Sequence, residues 1–304
     1  MPISGELRHV PESDTHFSMK RIIIILSAAL VASSCTSLDI PGMLFGSSPD
    51  ADVRYAESNA WNEANGFKTV IVSEDEYELY VSADCHISST MAGMTRFVED
   101  YLAAGVAPFA LFLGDAMDAK DTYHYFLETV APIEQAGCTL FCTPGNHDLY
   151  FGQWREFFNA YGTSSYLFEV NTPTEGKDLY ISLDSADGTL GTDQRGWLGS
   201  TLSEAKGKYR RIIVFTHTHF FKNDNTQGHT SNFNLEESHD LEKLFSDSGV
   251  SLVITGHDHN FEDIRFKGVR YLTLAAICDD ADRAYYYTLK VGSDETILKE
   301  VRIR

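Results

Sequence analysis

The sequence predicts a layered α/β domain. Apolar runs of strand length alternate with segments of helical periodicity along most of the chain, and layering is how such elements bury their apolar faces. The chain has 304 residues, 43% hydrophobic and 22% charged, which is enough for a full core and too polar for a multispanning membrane protein. No internal repeat, second composition regime or low-complexity tract divides it, so one domain is expected.

Met1 to Ser18 is polar and aperiodic. Met19-Lys20-Arg21 then opens a pattern of positive charge followed by the apolar run Ile22 to Ala32, closed by Ala32-Ser33-Ser34-Cys35. The run is about half of the 20 or so residues that span a bilayer, so residues 1–35 read as an N-terminal extension and an export signal starting at Met19. Small residues directly before Cys35 resemble a bacterial lipoprotein signal, in which that cysteine becomes the lipidated first residue and the membrane anchor. Residues 36–60 read as a linker, because Thr36 to Asp52 holds two Pro, two Gly and several Ser without sustained periodicity.

The domain is assigned to residues 61–304. Strands are expected at Tyr77–Ala83, Pro108–Leu113, Cys138–Cys142, Leu179–Leu183, Arg211–Thr216, Ser251–Thr255, Val269–Ala275 and Ala284–Val291. Helices are expected at Thr95–Ala104, Thr122–Ala136, Gly152–Ala160, Asp193–Ala205 and Glu237–Ser248. Phe220 to Glu237, rich in Asn, Thr and Ser, has the length of a loop over a site or of a solvated connection.

Lys plus Arg is 24 and Asp plus Glu is 44, a formal charge of -20 that repels a phosphate backbone, so nucleic acid is not an expected partner. Five Cys without a CxxC pair exclude a disulfide framework, a zinc ribbon and a thioredoxin-type site.

The chemistry sits where the strands end. Asp84-Cys85-His86, Gly114-Asp115, Gly145-Asn146-His147-Asp148, His217-Thr218-His219 and Gly256-His257-Asp258-His259 each follow an expected strand. Of the 11 His, six fall in these five segments. In extended backbone, residues i and i+2 face the same way, so Asp84 with His86, His217 with His219, and His257 with His259 can each address one site while Cys85 points into the packing. His124, His229 and His239 lie outside the pattern and read as surface or packing residues.

In this order the segments resemble the calcineurin-like metallophosphoesterase superfamily, whose pattern is D-x-H, G-D-x-x-(D/N), G-N-H-(D/E), H and G-H-x-H. The resemblance spans about Tyr77 to Ala275 and takes in Ser182-Leu183-Asp184-Ser185, Gln194 and Trp197-Leu198. It implies an α/β/β/α sandwich of two mixed sheets flanked by helices, with two divalent ions (Mn, Fe or Zn) at the strand ends. One ion would be held by Asp84, His86, Asp115 and His259, the other by Asp115, Asn146, His217 and His257. His147 is implied as the catalytic residue that donates a hydrogen bond to phosphate or protonates the leaving oxygen, with Asp148 orienting it. Asn146 and His147 are implied as substrate contacts. His219 stands where many members have Pro, and is assigned to substrate contact or to support of a ligand. Members with a purple iron centre carry Tyr three residues after the bridging Asp; here that position is Asp118, so an iron-phenolate site is not implied.

Two divalent ions bring four positive charges, Asp84 and Asp115 offset two, and a bridging hydroxide leaves about +1, a local positive spot suited to a phosphate ester. The implied activity is hydrolysis of phosphate mono- or diesters, with that hydroxide attacking phosphorus in line, by a periplasmic or membrane-anchored bacterial protein. The competing reading is a surface-anchored phosphate-ligand binding protein whose metals are structural; degeneration removes ligands, and none of the expected positions is missing.

Overall fold

A computed structural model describes residues 48–303 apart from 88–90, 106, 119–121, 223–227, 231 and 280–282. The expected export signal, Cys35 and residues 36–47 of the expected linker lie outside the described residues. In chain order the elements are α1 (Ala51–Asn65), β1 (Lys68–Ile71), β2 (Tyr77–Ser82), α2 (Ala92–Ala104), β3 (Phe109–Phe112), α3 (Tyr123–Gln135), β4 (Thr139–Cys142) and α4 (Trp154–Tyr161). There follow β5 (Tyr166–Asn171), β6 (Lys177–Ser182), α5 (Gly191–Ala205), β7 (Arg211–Phe215), the short pair β8 (Phe221–Lys222) and β9 (Gly228–His229), and α6 (Leu235–Ser248). The chain closes with β10 (Leu252–Thr255), β11 (Glu262–Phe266), β12 (Val269–Thr273), β13 (Tyr285–Val291) and β14 (Thr296–Arg302).

One sheet has seven strands in the order β1-β5-β6-β7-β10-β12-β11, the other five in the order β14-β13-β2-β3-β4. Both are mixed. Strands β2, β3 and β4 run parallel in the smaller sheet, and β6, β7, β10 and β12 run parallel in the larger. Their near-continuous apolar sequences follow from burial on both faces. In β3, Phe109 and Leu111 face the other sheet, whereas Ala110 and Phe112 face the helices. Phe168, Tyr180, Ile213, Phe215 and Ile254 complete the layer between the sheets. Helices α2, α3 and α4 cover the smaller sheet through Phe97, Phe126 and Trp154, and α5 and α6 cover the larger through Leu198, Leu202, Leu241 and Phe245. The α/β/β/α sandwich is therefore observed. No helix among the described residues is long and apolar enough to cross a membrane.

The fold departs from the sequence reading in two ways. Strands β1, β11 and β14 were not expected; they are half-exposed and lie at sheet edges, where no continuous apolar run is needed. Strand β5, also unexpected, buries only alternate residues, Tyr166, Phe168 and Val170.

The second departure corrects the linker, since residues 51–60 belong to α1. The buried stripe of α1 is Ala51, Arg54, Ser58 and Asn62, a helical spacing built from polar side chains and therefore invisible to apolar periodicity. Its N-cap, Asp50, accepts a hydrogen bond from the Val53 amide. Arg54 is fully buried and fork-paired to Asp184, with Nε and Nη2 at 2.9 and 3.0 Å, while Nη1 and Nη2 also reach Asp187. Asn62 donates to the Ser165 carbonyl at 2.8 Å. Just upstream, the Ser48 hydroxyl donates to the Leu149 carbonyl, so the chain enters the domain beside the segment that follows β4.

Replacing Arg54 with Met leaves the Asp184 carboxylate buried without its partner. We expect a loss of about 3–5 kcal/mol, read as a lower denaturant midpoint at an unchanged slope.

Candidate metal centre

Asp84 and His86 follow β2, Asp115 follows β3, Asn146 to Asp148 follow β4, His217 and His219 follow β7, and His257 and His259 follow β10. Both sheets thus contribute. The expected aiming by extended alternation is not what the backbone does. Asp84, His86, Asp115, His257 and His259 all take left-handed φ, at 58, 44, 58, 75 and 59°. Turns, not strand pleat, point these side chains inward. Each such non-glycine residue costs about 1–2 kcal/mol. Cross-links hold them there: the Asp84 amide donates to the Gly114 carbonyl at 3.0 Å, the His86 amide to the Asp115 carbonyl at 3.1 Å, and the His257 amide to both Asp84 carboxylate oxygens at 3.0 and 3.1 Å. Cys85 points away as expected, its thiol donating to the Ala116 carbonyl.

Two clusters of donor atoms result. In the first, His86 Nε2 lies 3.0 Å from His259 Nε2, 3.6 Å from Asp115 Oδ2 and 3.9 Å from Asp84 Oδ1, and His259 Nε2 lies 3.6 Å from the same Asp84 oxygen. In the second, His217 Nε2 lies 3.3 Å from Asp115 Oδ2, 3.0 Å from His257 Nδ1 and 3.1 Å from Asn146 Oδ1. These are spacings of donors that share one ion at about 2.0–2.2 Å. Asp115 Oδ2 belongs to both clusters.

The donor set suits divalent metals on further grounds. His217 gives its Nδ1 hydrogen to the Leu113 carbonyl at 2.7 Å, and His86 directs Nδ1 at Asp118 Oδ1 at 2.8 Å, so each turns an Nε2 lone pair inward. Inward lone pairs 3.0 Å from another imidazole nitrogen repel unless a proton or a cation lies between them. The Asn146 amide donates to the Tyr150 hydroxyl at 2.8 Å, which turns its oxygen toward His217. A third group, His86, Asp118 and His147, also brings three donors together. There the exposed Asp118 carboxylate is already hydrogen-bonded to His86 Nδ1 at 2.8 Å and lies against His147 Nδ1 at 3.0 Å, so its charge is taken up by the two imidazoles.

Charge follows the same plan. Burial lowers the affinity of His86 and His217 for protons, but nearby carboxylates, Asp118 and Asp115 foremost for His86 and Asp115 for His217, outweigh it and raise both to about 9 in the metal-free protein. Burial holds His257 and His259 below the usual imidazole range.

Two assigned roles need correction. Asp148 does not touch His147. It is buried and accepts from the backbone amides of Asp115, Ala116 and Gly145 at 2.9, 3.0 and 2.7 Å, tying the turns after β3 and β4 together. The group beside His147 is Asp118, its Oδ1 3.0 Å from His147 Nδ1. Its signal was present, since Asp118 is the last residue of Gly114-Asp115-Ala116-Met117-Asp118 and matches the G-D-x-x-(D/N) pattern. His219 is 0% exposed and packs its ring 5.4 Å from that of His257, so substrate contact is closed to it. Burial pushes it down to about 4 despite the nearby Asp258. Tyr150 was also not foreseen.

Loading the metal-free site must displace protons from His86 and His217, so apparent metal affinity should rise from pH 7 and level off above about 9. Calorimetry in buffers of different ionisation enthalpy counts the protons released. A Cβ on Gly145 would lie 2.1 Å from Asp115 Oδ1. Gly145→Ala should therefore weaken metal binding by about tenfold or more in chelator competition.

Comparison with known proteins places this geometry. Residues 78–261, more than half of the chain, match the calcineurin-like phosphoesterase family model. Comparison with curated protein sequences finds no significant match. A dimetal phosphatase from Danio rerio has a similar structure, with a TM-score of 0.58 at 14% identity, covering 74% of this chain and 96% of its own. A purple acid phosphatase from yellow lupin also scores 0.58, at 11% identity over 76% of this chain and 52% of its own. GAP50, the anchor in the inner membrane complex of Plasmodium, scores 0.56 at 14% identity over 75% of this chain and 85% of its own. At such identities the likeness is one of fold. The family match rests instead on a segment that contains every donor in both clusters, and by it this chain belongs to the calcineurin-like phosphoesterase family.

Proposed function

We propose that the chain hydrolyses phosphate mono- or diesters at a pair of divalent ions of the Mn, Fe or Zn class. Asp84, His86, Asp115 and His259 would hold one ion, and Asp115, Asn146, His217 and His257 the other. When bound, the pair supplies positive charge for the phosphoryl oxygens and lowers the pKa of water for in-line attack. The single observation that carries this reading is Asp115 Oδ2, which lies within 3.6 Å of His86 Nε2 and 3.3 Å of His217 Nε2 and so serves both clusters.

The remaining chemistry belongs to His147. Its amide donates to Asp115 Oδ1 at 2.9 Å, its ring meets that of His86 edge to face at 4.6 Å, and its side chain is 20% exposed. Asp118 takes the Nδ1 side of the ring, so Nε2 is the nitrogen offered to a substrate oxygen. From there it would donate a hydrogen bond to phosphate or protonate the leaving oxygen. Asp118 serves as its orienting carboxylate, held below the usual carboxylate range, where burial is outweighed by the neighbouring imidazoles of His147 and His86.

The alternative is a phosphate-ligand binding protein with structural metals. A partly exposed imidazole beside the donor clusters, with Asp118 at its Nδ1, is placed to meet a bound substrate, and this favours turnover. Export, with a lipid anchor at Cys35, is part of the same proposal and is supported by the sequence pattern around Met19 to Cys35. The substrate would then be a small or exposed phosphate ester outside the cytoplasm.

The test is release of nitrophenol from p-nitrophenyl phosphate and from bis-p-nitrophenyl phosphate by the chain from residue 36 onward, stripped and reloaded with Mn, Fe, Zn or Mg. Metal-dependent release that vanishes in Asp115→Asn supports the hydrolase, and the ratio of the two rates separates monoester from diester cleavage. Two ions bound without release would favour the binding protein. His147→Ala should lower turnover by about 10²–10⁴-fold with metal content unchanged, and Asp118→Asn by a smaller factor.

A further inference from the structure

The segment between β9 and α6 brings one side chain to the back of a histidine in the second cluster. The Asn232 amide lies 2.6 Å from His257 Nε2. This is the ring nitrogen opposite Nδ1, which faces His217 Nε2 at 3.0 Å. The approach is built into the fold. The Asn232 backbone amide donates to Thr230 Oγ1 at 3.1 Å, and the adjacent Phe233, 3% exposed, stacks on Phe220 with centroids 5.2 Å apart. On the other side the Asn234 amide donates to the Gly188 carbonyl at 3.0 Å. A Cβ on Gly188, whose φ is 78°, would lie 2.3 Å from the Asn232 carbonyl oxygen, so only glycine lets the two segments meet this closely.

The chemistry of the imidazole decides which end of the amide it meets. A ring that offers the Nδ1 lone pair to a cation carries its hydrogen on Nε2, and only an acceptor can then stand opposite Nε2. If the amide nitrogen stood there as donor, the ring would carry its hydrogen on Nδ1, aimed at His217 and Asp115, and the second cluster could not close on an ion. With Nδ2 toward the ring, Asn232 Oδ1 is buried and has no hydrogen-bond partner among the described residues. A half-turn about Cβ–Cγ exchanges the two atoms and gives the oxygen a donor.

We propose that Asn232 is a positioning residue that accepts the His257 Nε2 hydrogen through Oδ1 and fixes the tautomer in which Nδ1 is free for a divalent ion. It does for His257 what the Leu113 carbonyl does for His217. The proposal rests on the metal-centre reading above, and it assigns control of the second ion's affinity to a residue outside the family motifs.

The test titrates zinc into the metal-free protein against a chromophoric chelator and reads the His257 tautomer from long-range 1H–15N spectra of the zinc-loaded form. Turnover is not among the readouts, so a protein that binds two zinc ions without hydrolysing esters overturns the proposed function and leaves this comparison intact. Asn232→Leu should weaken the second ion by about 10–100-fold and spare the first, with the melting temperature of the metal-free form unchanged. Asn232→Asp, which keeps an acceptor, should bind two ions per chain with the hydrogen on Nε2. Wild-type affinity for both ions in Asn232→Leu, equal impairment in the Leu and Asp variants, or a wild-type ring protonated on Nδ1 would each overturn the assignment. A wild-type chain that binds no zinc would overturn the assignment and the metal-centre reading together.

Discussion

Everything at the site is arranged around one buried carboxylate. Asp115 is 2% exposed, gives Oδ2 to both donor clusters and accepts the His147 amide on Oδ1. An unpaired charge in such a place would be prohibitive. Burial alone would raise its pKa, but His217, His147 and His86 outweigh it and keep the group ionised. Its neighbour Asp148 is pushed the other way, raised by burial and by the Asp115 charge against the pull of the Gly145 and Ala116 amides. Two adjacent acids thereby separate into a charged donor and a backbone tie. The tie matters because Asp115 itself sits in a left-handed turn.

Local strain is concentrated in the same few residues. Among the described residues, seven non-glycine positions have left-handed φ, and five of them are proposed metal donors. A strand that simply ended would not place these side chains so close together. The cost is offset by hydrogen bonds from backbone amides that run from one strand end to the next and from one sheet to the other, such as that of the His257 amide to the Asp84 carboxylate. Divalent ions would take the place of the protons that His86 and His217 hold between the inward nitrogens in the metal-free protein.

The layered α/β class and the strand-end donors were legible in the sequence for identifiable reasons, and the two-sheet sandwich came with the family resemblance. Strands buried on both faces write uninterrupted apolar runs, and donors recurring after five such runs mark where they converge. What escaped notice lacks either signature. Helix α1 docks through Arg54, Ser58 and Asn62, so its periodicity is polar and the segment resembles a tether. Edge strands β1, β11 and β14 have little to bury. Asp148 stood in the right motif with the wrong role, because sequence adjacency to His147 says nothing about a side chain that turns back onto the amides of Asp115, Ala116 and Gly145. Asn232 carries no signal at all: its importance arises from Gly188, far away in the chain, and from a ring nitrogen that sequence cannot orient.

The division of donors between the sheets has a mechanical consequence. Asp84, His86, Asp115 and Asn146 follow strands of the five-stranded sheet, whereas His217, His257 and His259 follow strands of the seven-stranded one. Each cluster therefore draws on both sheets, and sliding one sheet over the other would open the two clusters together. Ions seated there would act as rivets through the sandwich. The free energy of closing this end of the sandwich and the free energy of filling the site would then be a single quantity, written once in the resistance of the fold to unfolding and once in its hold on the metal.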